Sequence, residues 1–223
     1  MDANRKRIWG FLVSTLALCT AVAVTLSAQA IPEVKLPPSP IGQAAVQLGG
    51  RWEKNADGPR YRDGKWVVVD YSRPLLRGRS QIFGSGADYG KVVMDGAGIW
   101  RAGANDTTRL TTQAPLQIGD KTIAPGVYNV FVDLKAGQWT LVLNTQPVQP
   151  KYDPADKVRL YGAYNYDAKF DVLRVPMTVR TRPDALEQFT IAFSNVTDST
   201  ATLIMAWEKT MATVDLRLAT GTK

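Results

Sequence analysis

Residues 98–110, GIWRAGANDTTRL, combine side chains that are suited to holding a ligand. Trp100 and Arg101 are adjacent, and Asn105 and Thr107 follow in the same segment. A guanidinium group can form two parallel hydrogen bonds to a carboxylate, a phosphate or a sugar diol, and an indole ring offers a flat aromatic platform. Amide and hydroxyl groups add hydrogen-bond donors. The segment therefore indicates a candidate site for an anionic or polyhydroxylated ligand.

A second group of polar residues lies in the segment 70–84, where an apolar run passes into turn-forming sequence. Junctions rich in Gly and Pro place side chains at the edge or mouth of a sheet rather than in its middle. We therefore expect four polar residues to converge on one concave surface: Arg73, Arg79, Arg101 and Asn105. The complete predicted ligand-binding set is Asp70, Tyr71, Arg73, Arg79, Trp100, Arg101, Asn105 and Thr107.

The same residues also fit a purely structural role. In that interpretation Arg101 pairs with Asp70 or Asp106, as arginines inside β domains often pair with carboxylates. Asn105 then caps a turn and Trp100 fills the core. An acid–base pair of two carboxylates, as in glycosidases, is a third interpretation of Asp70 and Asp106. The residue pattern leaves these alternatives open.

The segment FDVLRV contains a further pair of charged residues inside an alternating strand pattern. Asp171 and Arg174 are three positions apart, and residues at this spacing point to opposite faces of a regular strand. We therefore expect that these two side chains are not partners of each other, and that each has a structural role.

Two amino-acid types that carry much enzyme chemistry are nearly absent. The 223-residue chain has no histidine, and its one cysteine, Cys19, lies in the N-terminal apolar run. This excludes Ser-His-Asp and Cys-His mechanisms from the rest of the chain, together with most zinc and copper sites. A calcium loop with the spacing of alternating aspartates is also missing. We therefore expect neither a metal site nor a cofactor.

Residues 1–30 have the three parts of a secretory signal peptide. Positive residues precede an uncharged stretch, Ile8–Leu26, and the small residues of Ala28–Ala30 suit a signal peptidase. Leu18 precedes Cys19 where lipidation requires a small side chain, which argues against a lipid anchor. The sequence thus predicts export to a bacterial periplasm or beyond. Contact with the membrane is expected only through this segment, if it stays uncleaved as an anchor.

The charge of the chain is moderately basic. There are 27 Lys and Arg residues against 20 Asp and Glu residues, a net charge of +7, and the positive residues are scattered. Nucleic-acid-binding proteins usually concentrate such charges on one face or in one run. We therefore expect no nucleic-acid partner.

The apolar residues alternate with polar ones after about residue 45, and this period of two predicts β-strands. Gly119-Asp120, Gly137 and the segment TDST supply turns between them. The run at 66–71 is apolar on both faces and predicts a central strand, whereas 153–167 has room for one helical turn at most. The other predicted strands cover residues 128–134, 139–143, 173–179, 189–193 and 212–218.

Many short strands and turns without amphipathic helices predict an all-β fold, a single-domain antiparallel β-sandwich of jelly-roll-like type after the N-terminal signal helix. The predicted organisation has three parts. Residues 1–30 are the signal peptide or anchor, residues 31–45 are a Pro-rich extended lead, and residues 46–223 are the β-sandwich domain.

Several motifs in order along the chain resemble one bacterial protein family. They are YSRP, GR, IFG, WRAGAN, APGVY and DVLRV, followed by a final strand with the pair WE. The chain resembles the domain of unknown function 2911 family in this order of motifs, over roughly residues 40–220. The resemblance implies an exported β domain and carries no assigned activity. It also implies that the spacer between Gly84 and Trp100 is longer here than is usual in the family.

Three functions are compatible with these observations. The leading hypothesis is a non-catalytic binding or envelope-accessory module for a small anionic or sugar-like ligand. The second is a hydrolase or lyase that uses carboxylates or arginines on glycans or cell-wall material, and it requires two titratable groups that face one cleft. The third is a structural partner of an envelope protein, and it predicts an exposed apolar patch.

Overall fold

The computed structural model describes residues 33–219. The predicted signal peptide or anchor, its cleavage site and the last four residues lie outside this range. Within it, no helix has the length and hydropathy of a membrane-spanning segment.

The described residues form an antiparallel β fold, which confirms the predicted class. Helical structure is limited to α1, Lys91–Met94, and two 3-10 turns, Gly86–Asp88 and Ala168–Phe170. The strands are β1 (Ile41–Leu48), β2 (Arg51–Asn55), β3 (Gly58–Arg62), β4 (Lys65–Ser72), β5 (Arg109–Thr112), β6 (Leu116–Ile118), β7 (Lys121–Ile123), β8 (Gly126–Lys135), β9 (Gln138–Asn144), β10 (Asp171–Ser194) and β11 (Thr200–Leu218).

Nine of these strands form one sheet in the order β1-β4-β5-β8-β9-β10-β11-β6-β7, and β2 and β3 form a separate hairpin. Strand β10 carries the chain from one part of the sheet to the other. Its residues up to Met177 pair with β9, and its residues from Thr178 onward pair with β11. The part of the sheet on the β9 side of β10 and the part on the β11 side share one core on their inward faces. In this core the ring centres of Tyr71 of β4 and Phe189 of β10 lie 5.7 Å apart. The arrangement is therefore sandwich-like.

Strand β11 folds back on itself near Glu208, which has a positive φ of 50°. Its two ends consequently lie side by side. The backbone N–H of Leu218 donates to Ser199 O at 2.9 Å, and the Thr202 hydroxyl donates to Asp215 at 2.7 Å. The turn places Glu208 and the preceding tryptophan, Trp207, beside the segment that follows β4.

Strand β4 pairs on both sides, with β1 and β5, but it is second from the edge of the sheet rather than central as predicted, and it is not covered on both faces. Val67 and Val69 point into the core, whereas Trp66 on the opposite face is 43% exposed. The apolar residues on one face of β4 therefore form part of the core, whereas Trp66 on the other face is partly exposed. The predicted lead also ends earlier than expected, because residues 41–45 belong to β1 and pair with β4.

The irregular segment 145–170 covers the outer face of β8 and β9 and creates a second small core. Phe131 and Val142 from the strands contact Leu160 and Ala163 from the segment. The Gln146 side chain fixes the segment from inside by donating to Val158 O and Asn165 O at 2.7 and 2.8 Å. The segment thereby holds Gly162 and Tyr164 beside the loop that follows Trp100.

Candidate functional site

A groove of about 280 Å³ opens where three connecting segments meet beside the sheet. One wall is the turn after β4, another is α1 with Asp95 at its end, and the third is the loop that follows Trp100. Two guanidinium groups and one carboxylate line it. The lining residues are Ser39, Pro74, Arg79, Ile82, Val92, Val93, Asp95, Trp100, Arg101, Gly103, Ala104 and Trp207.

The loop after Trp100 is held to the sheet by both backbone and side-chain contacts. Trp100 exchanges two backbone hydrogen bonds with Val132. Its fully buried ring packs against Phe189, with the ring centres 5.1 Å apart. Gly103 has a φ of 155°, and a Cβ atom there would lie 2.8 Å from the backbone oxygen of Ser72. Only glycine tolerates so close an approach of two backbones. With Trp100 fixed inward, the next side chain, Arg101, turns toward the groove.

Arg101 is shielded from water, and its hydrogen-bonding capacity is largely unused. The side chain is 12% exposed, and its Nη2 lies 3.4 Å from the Asp95 carboxylate. The Nε–H group is buried and has no hydrogen-bond partner. On one side the guanidinium lies 5.8 Å from the centre of the Tyr164 ring. On the other side the guanidinium lies against Gly162, where an added Cβ atom would be only 2.6 Å from Arg101 Nη1.

Asp95 and Tyr164 form the rim of the groove next to Arg101. The Tyr164 hydroxyl donates to Asp95 Oδ2 at 3.0 Å. This hydrogen bond to a carboxylate, together with partial burial, raises the pKa of Tyr164 above its ordinary value of 10.0. Asp95 has a φ of 51° directly after α1, and its side chain is 64% exposed. The contact with Arg101 is therefore a long ion pair between a shielded guanidinium and a largely exposed carboxylate.

Arg79 supplies the second cation of the groove. Its Nε and Nη2 donate to the backbone oxygens of Leu76 and Leu75 at 3.0 and 2.7 Å. The guanidinium carbon lies 5.9 Å from the centre of the Trp207 ring. No carboxylate within the described part of the chain pairs with Arg79. Its charge is held in place by neutral groups and stays available to a ligand.

The turn that carries Arg79 is braced by two glutamates. Glu187 accepts a hydrogen bond from Arg77 N at 2.7 Å, and Glu208 accepts from Gln81 N and Ile82 N at 2.6 and 3.0 Å. Because these carboxylates bind backbone N–H groups, the turn keeps its shape without ion pairs to its own arginines. The position of Arg79 is thus set by contacts within the protein.

Only part of the predicted convergence is found. Arg79 and Arg101 line the same groove and Trp100 forms part of its floor, but Trp100 is fully buried and offers no exposed platform. The Arg73 side chain lies across Gly42 of β1 instead, and a Cβ atom added to Gly42 would be 2.2 Å from Arg73 Cδ. Asn105 is exposed with a φ of 58° and is not among the lining residues. Of the four residues predicted to converge, Arg79 and Arg101 line this groove, and Arg73 and Asn105 do not.

The remaining predicted residues lie outside the groove and have structural contacts. Asp70 accepts a hydrogen bond from Gln43 at 2.7 Å on the outer face of the sheet. The buried Tyr71 hydroxyl donates to Ile191 O at 3.1 Å, and the buried Thr107 hydroxyl donates to Gly162 O at 2.8 Å. The partner of Arg101 is Asp95, and neither Asp70 nor Asp106 pairs with it.

Sequence reasoning missed Asp95 and Tyr164. Asp95 lies in the spacer between Gly84 and Trp100, and flanking glycines with positive φ, Gly90 and Gly96, are the local signal of its turn. Tyr164 belongs to an irregular segment without a period that could assign it to a face. Trp207 of β11 is 3% exposed and lines the groove as well.

The expectation that Asp171 and Arg174 are not partners was wrong. Arg174 Nη1 lies 2.9 Å from Asp171 Oδ2. A register shift between Asp171 and Leu173 interrupts the alternation, and this bulge brings both side chains to one face. The Tyr166 hydroxyl donates to the same carboxylate at 2.7 Å. Burial is the largest cause that raises the pKa of Tyr166, and this hydrogen bond is the next. The cluster fastens the 145–170 segment to the sheet.

A larger concavity of about 620 Å³ lies on the outer face of β11 and β6, away from the groove. Its polar side chains are already bonded to one another. Thr202 donates to Asp215 at 2.7 Å, and Arg217 donates to Gln117 at 2.7 Å. The groove of Arg79 and Arg101 is smaller but retains more free hydrogen-bonding capacity. The described residues hold no cluster of His, Cys, Asp and Glu that could bind a metal ion.

A family model described as Protein of unknown function (DUF2911) matches residues 59–216. The chain belongs to this family. The DUF2911 region thus runs from β3 to the end of β11 and contains both arginines, Asp95 and Tyr164. Searches of the curated proteins and of the solved structures found no match to the chain.

Proposed function

We propose that this protein is a binding module that holds the anionic group of a small, polyhydroxylated or anionic ligand between Arg79 and Arg101. The observation that carries the proposal is the presence of two guanidinium groups on one groove that has a single, exposed carboxylate in its lining. Guanidinium groups bind carboxylates and phosphates through directed pairs of hydrogen bonds, and that of Arg101 is shielded from water whereas that of Arg79 is exposed.

The geometry of Arg101 favours a ligand over a brace. A structural arginine inside a protein normally has short hydrogen bonds from most of its N–H groups, because an unsatisfied buried donor is costly. Arg101 has one contact at 3.4 Å and a buried Nε without a partner. An ion pair with an exposed carboxylate contributes little stability. The remaining donors of Arg101 are thus suited to a group from outside the chain.

The groove supplies cations rather than a pair of carboxylates. Glycoside hydrolysis in most families uses two carboxyl groups on either side of the bond that is cleaved. Asp95 is the only acidic residue that lines the groove in the described part of the chain. This composition supports binding more than acid–base catalysis. We propose that the module acts in the periplasm or outside the cell, as the N-terminal sequence predicts.

A second candidate, a structural partner of an envelope protein, has one observation in its favour. The outer face of β1, β4, β5 and β8 carries an exposed apolar patch in a shallow depression of about 320 Å³. Trp66 and Val127 on this face are 43% and 48% exposed, and Ala45 of β1 pairs with Val68 of β4 on the same face. Exposed apolar patches are typical of interaction surfaces.

The binding proposal is tested by thermal melts with citrate, inorganic phosphate and D-galacturonate. We expect at least one of these anions to raise the melting temperature of the wild type. Arg101→Lys keeps the charge but removes the planar fork, so it should abolish this response. Arg109→Lys is the matched control, because Arg109 is exposed on β5 and does not line the groove. A wild type that responds to none of the anions would contradict the proposal.

A further inference from the structure

A second concavity of about 180 Å³ adjoins the groove, on the 145–170 segment. Three tyrosines line it, together with residues that can form hydrogen bonds. Tyr152 and Tyr161 pack with ring centres 4.7 Å apart and planes tilted by 43°, and Tyr152 is 55% exposed. Asp153 and Lys157 also line this tyrosine pocket.

Tyr164 is the wall between the tyrosine pocket and the groove. It lines the tyrosine pocket, its ring contacts the Arg101 guanidinium, and its hydroxyl binds Asp95. Backbone hydrogen bonds in both directions join Tyr161 and Tyr164, at 2.9 and 3.4 Å. The tyrosine pocket and the arginines are thus held next to each other, with one side chain between them.

The tyrosine pocket has the chemistry of a site for an uncharged ring that carries hydroxyl groups. The tyrosine faces present apolar surface that can pack on the C–H face of a sugar ring. Asp153 and Lys157 form no ion pair with any described residue, and Asp153 Oδ1 accepts one hydrogen bond, from Ala155 N at 2.9 Å. Asp153 Oδ2 and Lys157 Nζ can bond to hydroxyls. Apolar walls with a few polar groups that fix orientation are typical of small-molecule sites.

We propose that the ligand is an acidic oligosaccharide. Its carboxylate lies at Arg79 and Arg101, and the neighbouring sugar ring crosses Tyr164 to pack on Tyr152 and Tyr161. This inference rests on the proposed function of the two arginines and adds the class of the ligand and the second half of its site.

The charges of the tyrosine pocket give a nucleic acid or a polyphosphate no basic surface in the same position. Asp156 lines the pocket, and hydrogen bonds from Arg159 N and Val158 N lower the pKa of its carboxyl to about 2. The carboxylate is therefore charged at neutral pH, and Asp153 stands beside it. The Arg159 side chain pairs with Asp156 at 2.5 Å, and Lys157 lies in the same lining as Asp153. The pocket therefore has no excess of positive charge to attract a chain with a phosphate at every unit.

The experiment compares D-galacturonate, an acidic trisaccharide of one D-galacturonate and two neutral D-glucose units, and the neutral trisaccharide maltotriose by isothermal titration calorimetry. We expect the acidic trisaccharide to bind about ten-fold more tightly than the monosaccharide, as one further aromatic contact would give. Tyr152→Ala should reduce the affinity for the trisaccharide to that for the monosaccharide and leave the monosaccharide unaffected. Trp52→Ala, another exposed aromatic residue at 67% exposure, is the matched control and should change neither.

The outcomes separate this inference from the proposed function. If D-galacturonate binds and Arg101→Lys weakens it, but the trisaccharide binds no more tightly, the oligosaccharide inference is overturned and the proposed function stands. The oligosaccharide inference is also overturned if Tyr152→Ala leaves the trisaccharide affinity unchanged, or if maltotriose binds as well as the acidic trisaccharide. If neither the uronates nor citrate nor phosphate bind, the proposed function fails and this inference fails with it.

Discussion

At the scale of single residues, Arg101 decides how the groove is interpreted. Its backbone is set by the buried neighbour Trp100, and its side chain lies between Gly162 and Tyr164. Neither contact neutralises the guanidinium charge. The one acidic partner, Asp95, is at 3.4 Å and is mostly exposed. The side chain is therefore fixed in position by packing while its charge is only weakly paired.

This arrangement predicts a modest effect of Arg101→Ala on stability. Loss of a weak ion pair and of the packed side-chain stem should reduce the free energy of unfolding by about 1–2 kcal/mol. Removing one partner of a buried ion pair costs about 3–5 kcal/mol instead, because it strands the other charge. Urea denaturation of the wild type and the variant distinguishes the two. A loss in the larger range, with no anion response in the wild type, would establish Arg101 as a brace.

Asp95 is expected to compete with an anionic ligand, because its carboxylate already accepts from the Arg101 guanidinium and from the Tyr164 hydroxyl. Asp95→Asn should therefore strengthen the binding of D-galacturonate or phosphate. It should also lower the pKa of Tyr164 toward 10.0, since the hydrogen bond to a charged carboxylate is what chiefly raises it.

Calorimetry and the ultraviolet absorbance of tyrosinate measure these two effects. Asp88→Asn is the control, because Asp88 pairs with Lys91 in the same segment and does not line the groove. Weaker anion binding in Asp95→Asn, or an unchanged pKa of Tyr164, would refute the competing role of Asp95.

At the scale of elements, the groove depends on segments between strands rather than on the strands themselves. The sheet supplies the floor through Trp100 and Trp207. The walls are the braced turn after β4, the short helix α1 and the 145–170 segment, whose Gly162 supports Arg101. Connecting segments on a rigid sheet commonly carry binding sites.

Gly162→Ala tests the support of Arg101 by the 145–170 segment. Gly162 has a φ of 60°, and a Cβ atom would approach both Arg101 Nη1 and the backbone oxygen of Asn105, at 2.6 and 2.7 Å. We expect a loss of about 1–3 kcal/mol in stability and a loss of the anion response. Gly137→Ala is the control, with a φ of 72° and no atom within 4 Å of the added Cβ. Equal losses of stability and of anion response in the two variants would show that backbone strain alone, and not the support of Arg101, explains the effect of Gly162→Ala.

The 145–170 segment should also loosen in acid. The pKa of Asp156 is about 2 in the folded protein because Arg159 N, Val158 N and the Arg159 side chain donate to the carboxylate. A folded-state pKa below the unfolded value means that the stabilisation is complete above about pH 4 and is lost as the pH falls toward 2. The difference in melting temperature between the wild type and Asp156→Ala should therefore shrink over this range. A constant difference would contradict the assignment.

At the scale of the whole molecule, one sheet folds over a single large core, and a second small core lies beneath the 145–170 segment. The large core extends across both parts of the sheet through β10. The groove lies where the turn after β4 meets the fold-back of β11, beside the second core. A ligand there would contact segments that belong to both parts of the sheet.

Export is the prediction that belongs to this scale. If Ala28–Ala30 is a cleavage site, the exported protein begins at Ile31. Intact mass measurement of the protein from the periplasm or the medium should give the mass of residues 31–223. Full-length chain recovered from the membrane would instead support an uncleaved anchor.

The sequence alone determined the class of fold and most of the core. An apolar period of two reports which side chains face inward, because successive residues of a strand point to opposite sides. Phe189 and Ile191, Val214 and Leu216 are buried as this period predicts. The rule failed at Asp171, where the bulge in β10 shifts the period by one residue. It also did not foresee that β11 folds back at Glu208.

The site was only half determined by the sequence. The order of residue types at 70–84 and 98–110 indicated Arg79 and Arg101, since both follow apolar runs at turns. The tertiary structure alone decided that Arg73 is turned away and that Asp95 and Tyr164 complete the rim. The physical reason is that a period along the chain assigns a side chain to a face of its own strand. Contacts between irregular segments depend on backbone turns and on packing between residues far apart in the chain, and no local pattern encodes them.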